Sequence, residues 1–289
     1  MRKLPFASLA RLSAALLAVC LMASVALAQN PPASPATPSQ PAQPLAKPSP
    51  YDAVLAGAAK LYYSTGKTGL DSFDCAVHPD WKALFVSAEK SSTAASDPRI
   101  ALLDSVKITL HGRLKAAPSL DWNPPAAQDK DSIDLLDNMH KAAEQSLMGF
   151  MQFWTPFVDG SAIPANSQGL EITRTEQGYK LHATQGDTTV TEVLDNQLLL
   201  KELNVVMSTV TVDFVPAYKS TDQGLLVNNF VAHIQPAGTP PGQTQEMHVA
   251  IDYQTVDGFP IPARLTMNVI NSGEFDFSLD GCTVTQSAK

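Results

Sequence analysis

From Leu170 to the end of the chain, apolar and polar side chains alternate in runs punctuated by turn residues. Leu170 and Ile172 begin the series, followed by Tyr179, Leu181 and Ala183, with turns such as EQG and QGD between runs. Val206, Val210, Val212 and Phe214 alternate with Met207, Thr209, Thr211 and Asp213. Met247, Val249, Ile251 and Tyr253 do so with His248, Ala250, Asp252 and Gln254. The last run is the cleanest, with Phe275, Phe277 and Leu279 set against Glu274, Asp276, Ser278 and Asp280. A period of two leaves one face wet and one covered, which is the mark of an antiparallel sheet. Two earlier runs, LDSFDCAV and SVKITLHGRL, add strands with Phe73, Cys75 and Val77, and with Val106, Ile108 and Leu110, on one face. The total predicted is about nine or ten strands.

Helical spacing occurs in three places. Val54, Leu55, Ala58, Leu61 and Tyr62 recur at it within 51–64, WKALFVSAEK is a short helix at 81–90, and the longest candidate covers 129–157. In that last segment Ile133, Leu136, Met139, Ala143, Leu147, Phe150 and Trp154 form one stripe, and the second half, LMGFMQFWTPF, is apolar nearly all round. A sheet of this size must curl, and its apolar face needs a cover that only these helices supply. The expected fold is therefore α+β: a curved antiparallel sheet forming an incomplete barrel, with helices covering its concave apolar face.

The amino-terminal end is different in kind. Arg2, Lys3 and Arg11 precede an apolar stretch from Leu12 to Leu27, and Ala26-Leu27-Ala28 offers small residues to a signal peptidase, so 1–28 reads as an export signal cleaved after Ala28. Two rivals stay open: lipidation at Cys20, and an uncleaved anchor over the 17 residues Leu12 to Ala28. Residues 29–50 hold eight prolines and a single charge, Lys47, and form a disordered linker. A single domain over 51–285 follows. Loss of 1–28 takes the net charge from −8 to about −11, which argues against nucleic acid and anionic membrane surfaces as partners. The expected location is the periplasm, where Cys75 and Cys282, the only cysteines left, would pair; two separate buried thiols are the alternative. Such a bridge would close a loop worth on the order of 4 to 5 kcal/mol.

No catalytic constellation is visible. The chain lacks a G-x-S-x-G elbow, a phosphate-cradling glycine loop and paired-cysteine metal spacing. Asp137, His140 and Glu144 share a helix face, which is the spacing of a metal site and equally of a solvated face paired with Lys141. His78-Pro79-Asp80 resembles an acid/base pair, yet Pro79 and Asp80 also suit a helix start before Trp81. We therefore expect no enzyme, no cofactor and no metal. The informative residues are Leu147, Met148, Phe150, Met151, Phe153, Trp154 and Phe157, whose thioethers and aromatic plates form a lining able to repack around ligands of variable shape. The competing reading is a helix that simply completes the core.

After the tryptophan-ended helix come GYKLHA, TTVTEVLDNQLLLKELNVV, FVPAYKSTDQGLLVNNF and MHVAIDYQTVDGFPIPARLTMNV. This succession resembles the periplasmic outer-membrane lipoprotein carriers of the LolA/LolB type and related lipid-binding envelope proteins. The most specific part is Tyr253 to Pro262, in which Val256-Asp257-Gly258-Phe259-Pro260 turns the chain between two long strands. The similarity covers roughly 165–285. It implies an unclosed barrel whose concave face takes a lipid or lipoprotein acyl chain, a movable lid, and a lid-locking arginine for which Arg99 and Arg113 are candidates. Burying a chain of about 14 methylenes would contribute on the order of 11 kcal/mol. Possible further partners are envelope proteins; a structural or protein-interaction module of the same fold is the alternative function.

Overall fold

The computed structural model describes residues 49–89, 95–127, 129–159, 163–164, 166–240, 244–270 and 273–286. The segment 1–28 expected to be an export signal, and the expected linker up to residue 48, lie outside them. The elements run α1 (Asp52–Ala59), α2 (Thr65–Thr68), β1 (Leu70–Pro79), α3 (Trp81–Glu89), α4 (Pro98–Asp104), β2 (Lys107–Arg113), β3 (Ser119–Asn123) and α5 (Lys130–Asp159). Nine strands follow: β4 (Glu171–Thr175), β5 (Gly178–Gln185), β6 (Thr188–Asp195), β7 (Leu200–Val206), β8 (Val210–Thr221), β9 (Gly224–Pro236), β10 (Gln245–Val256), β11 (Phe259–Val269) and β12 (Gly273–Gln286).

Helix starts follow capping chemistry. The Asp80 carboxylate accepts from the Ala83 N–H at 2.8 Å at the head of α3, and Asp97 accepts from the Arg99 N–H with Pro98 in the first turn of α4. Asp129 does the same for α5, accepting from the Ser132 N–H at 2.9 Å. Each cap satisfies an amide that the helix itself leaves free.

All strands belong to one antiparallel sheet in the order β3-β2-β1-β12-β11-β10-β9-β8-β7-β6-β5-β4. The sheet is not closed, so this is the incomplete barrel expected, with twelve strands rather than nine or ten. One source of the undercount is the run from Val206 to Phe214. Met207 donates its N–H to the Val210 carbonyl at 2.9 Å, turning the chain so that Val206 ends β7 and Val210 begins β8. The other is β3, too short for its alternation of Leu120 and Trp122 to stand out.

The hairpin within Tyr253 to Pro262 is a tight two-residue turn: Asp257 has φ 50° and Gly258 φ 87°, the left-handed pair whose twist matches the flanking strands. At the junction of β1 with β12, Cys75 and Cys282 are joined by a disulfide across neighbouring strands. On β2, a side chain at Gly112 would begin 2.3 Å from the Phe73 ring, so this glycine lets Phe73 lie flat against the sheet.

The apolar faces of the strands, the helices and Trp154 at their centre form one contiguous core. β3 and β4 are the two outer strands, and α5, in the chain between them, packs against the apolar face of the sheet. His140 near its start stacks on Trp122 of β3 at 5.0 Å, and Phe153 near its end lies 3.9 Å from Phe230 of β9, measured between ring centroids.

Candidate functional site

The seven residues singled out in LMGFMQFWTPF all lie in the second half of α5. Leu147, Met151 and Trp154 are fully buried, Phe150, Phe153 and Phe157 nearly so, and Met148 is half-buried at the edge of the core. Phe153 meets Phe214 of β8 and Phe230 of β9, with Phe157 beside it. The Trp154 ring sits edge-on to Phe73 at 5.9 Å and beside Phe150. Its indole N–H donates to the Tyr253 hydroxyl at 2.9 Å, and that hydroxyl donates to the Val227 carbonyl at 2.6 Å. Burial pushes the Tyr253 phenol well above its ordinary range, so it remains a neutral donor. This chain of two bonds is a polar latch in an otherwise apolar contact between helix and sheet.

The end of α5 is tied down separately. Ser64 donates its hydroxyl to the Asp159 carbonyl and Thr65 to the Asp159 carboxylate, both at 3.2 Å, joining the start of α2 to the last turn of α5.

The other half of the concave face, beneath α1, is less complete. Tyr62, just after α1, accepts from the Leu200 N–H at 2.7 Å and meets the Tyr218 ring edge-on at 5.2 Å. Glu192 of β6 is only 6 % exposed, and its Oε2 finds no hydrogen-bond partner among the described residues; nor does the buried Tyr218 hydroxyl. Burial alone pushes the Glu192 carboxyl up to about 8, so at neutral pH it is mostly protonated. Burial also raises Tyr218, with the adjoining Tyr62 hydroxyl and then Glu192 adding to it, and raises Tyr62 against the lowering effect of the Leu200 N–H bond. On α5, the side-chain oxygens of Gln145 and Gln152 are buried and unpartnered too. Glu192 escaped the sequence reading, although the alternation of Val190, Glu192 and Leu194 carries the signal of an acid on an apolar face.

The remaining polar candidates are scattered. His78 lies 3.1 Å from Asp280, and Asp80 caps α3. His111 bridges Asp74 at 2.7 Å and Asp121 at 3.1 Å, and the Asp74 contact raises it above the ordinary histidine range. His182 meets Thr191, while His233 and His248 flank Glu246. His140 is taken by its stack on Trp122. Among the described residues, no group of three or more potential ligands is placed to hold a metal ion, and no helix is long and apolar enough to cross a membrane. Arg99 is bound to Asp97 and Glu89 over the Phe85 ring, and Arg113 to Asp74. Comparison with protein-family models, with curated proteins and with solved structures finds no match for this chain.

Proposed function

We propose that this is an exported envelope protein that binds a lipid or lipoprotein acyl chain between the concave face of its sheet and α5, as a carrier rather than an enzyme. The observation that carries the reading is the nature of the cover. The central strands of an open twelve-stranded sheet bury their apolar face under the Met- and Phe-rich half of one helix, α5. Six of its large side chains, Leu147, Phe150, Met151, Phe153, Trp154 and Phe157, contribute about 2 kcal/mol each by burial, about 12 kcal/mol together. One long acyl chain in their place contributes about 11 kcal/mol by the same rule. Exchange of helix for lipid is then close to balanced, which is what a carrier needs in order both to load and to release.

The test uses protein purified from the envelope fraction. Native mass spectrometry is expected to show one added lipid mass, and the delipidated protein is expected to take up a fluorescent fatty acid. Protein that never carries lipid and never takes up the probe sinks the proposal. The fully buried state of Leu147, Met151 and Trp154 favours a second reading, a structural or interaction module with a permanently filled core; it expects that negative outcome.

A further inference from the structure

The strand register lines up one row of inward-facing residues across the sheet: Leu181, Glu192, Leu203, Phe214, Ala232 and Met247. Five are apolar. The sixth is a carboxylic acid without a partner for Oε2 among the described residues; Tyr62, whose hydroxyl holds the Leu200 N–H opposite Leu194, brings the Tyr218 ring to the same part of the sheet, and the buried Tyr218 hydroxyl likewise lacks a well-formed hydrogen bond. A buried polar group left unsatisfied is strongly disfavoured, and two around one place are disfavoured further, so their persistence calls for something that satisfies them. The place adjoins the aromatic contact of α5: along the row Glu192 is two strands from Phe214, roughly 10 Å, and Phe153 stacks on Phe214.

We propose that Glu192 and Tyr218 are the polar seat of the acyl ligand, donating hydrogen bonds to the carbonyl oxygen at the head of a chain whose tail takes the place of the aromatic half of α5. This rests on the acyl-binding reading above. A neutral carboxyl and a phenol each offer one O–H, and a carbonyl oxygen has two lone pairs to receive them. The apolar row on either side suits the methylenes that follow. An amine would instead require Glu192 to ionise, and a buried ion pair roughly breaks even against the desolvation it demands. A free fatty acid and an ester-linked lipid both present the required carbonyl.

The test is competition for a fluorescent fatty acid on the mature chain, using four C16 ligands: palmitic acid, methyl palmitate, hexadecane and hexadecylamine. For the wild type, acid or ester is expected to compete about tenfold better than the hydrocarbon, the effect of new hydrogen bonds to unsatisfied donors. Equal acid and ester point to an ester lipid, whereas a preferred acid points to a free fatty acid. Glu192→Leu is expected to erase this preference to within about twofold while hexadecane binds as before, and Tyr218→Phe to reduce it in part. Glu192→Leu replaces an unsatisfied acid by an apolar side chain, so folding is expected to be retained, checked by its melting temperature. An undiminished preference in Glu192→Leu, or hexadecylamine as the strongest wild-type competitor, overturns the seat while leaving acyl binding intact. Failure of all four ligands on the wild type overturns acyl binding and the seat together.

Discussion

Two sectors of the same concave face are finished to different standards. Under the end of α5, across β8 to β10, aromatic rings interlock and the buried polar atoms of the latch are used: the Trp154 N–H meets the Tyr253 hydroxyl, which meets the Val227 carbonyl. Under α1, across β6 to β8, the rings of Tyr62 and Tyr218 also meet, but Glu192 and the Tyr218 hydroxyl are left over. Both sectors are equally dry, so exposure does not separate them. What separates them is the polar contact between helix and sheet: the latch of the first sector is paired, although Gln152 Oε1 on α5 is not, whereas Glu192 and Tyr218 in the second leave an acid and a phenol without a well-formed bond.

The largest expected effect comes from changing pH. An acid whose folded pKa, about 8, lies above its unfolded value near 4.5 holds its proton better in the folded state. Stability therefore falls as pH rises from about 4.5 to about 8, by on the order of 5 kcal/mol, and levels off above. Urea titrations of the wild type across that range are expected to show the fall, and Glu192→Gln to remove most of it; an equal fall in both would locate the effect elsewhere.

Next comes the latch. Trp154→Ala is expected to lower stability by about 4 kcal/mol, since it opens a large cavity at the centre of the core; the urea midpoint reads it directly.

The smallest and most discriminating effect is the removal of one oxygen from each sector. Tyr253→Phe leaves both the Trp154 N–H and the Val227 carbonyl unpartnered and is expected to lose about 2 kcal/mol. Tyr218→Phe removes a hydroxyl that has no hydrogen bond and is expected to be neutral, or to stabilise by up to about 1 kcal/mol. Equal losses for the two variants would erase the distinction between the sectors.

Much of the architecture was legible because its periodicity is strong. The stripe of α5, the alternation of β12 and the turn at Asp257-Gly258 each state their structure locally, and the expected pairing of Cys75 with Cys282 is present. The sector under α1 was harder to see. In TTVTEVLD, Val193 lies on the opposite face to Val190 and Leu194, so both faces of the strand carry apolar side chains. Glu192 therefore looks like one more polar residue on a mixed strand. Its meaning appears only when β7, β8 and the segment after α1 fold around it, with Tyr62 and Tyr218 arriving from distant parts of the chain. Whether α5 lines a ligand site or completes a core is likewise a matter of volume, set by Phe214, Phe230 and Tyr253, which all lie well beyond the helix in the chain.

The order of strands gives α5 one further property. Its two ends lead to β3 and β4, the opposite margins of the sheet, so the helix is a drawstring running across the mouth of the barrel. The two edges of the sheet are therefore joined through the element that fills its interior.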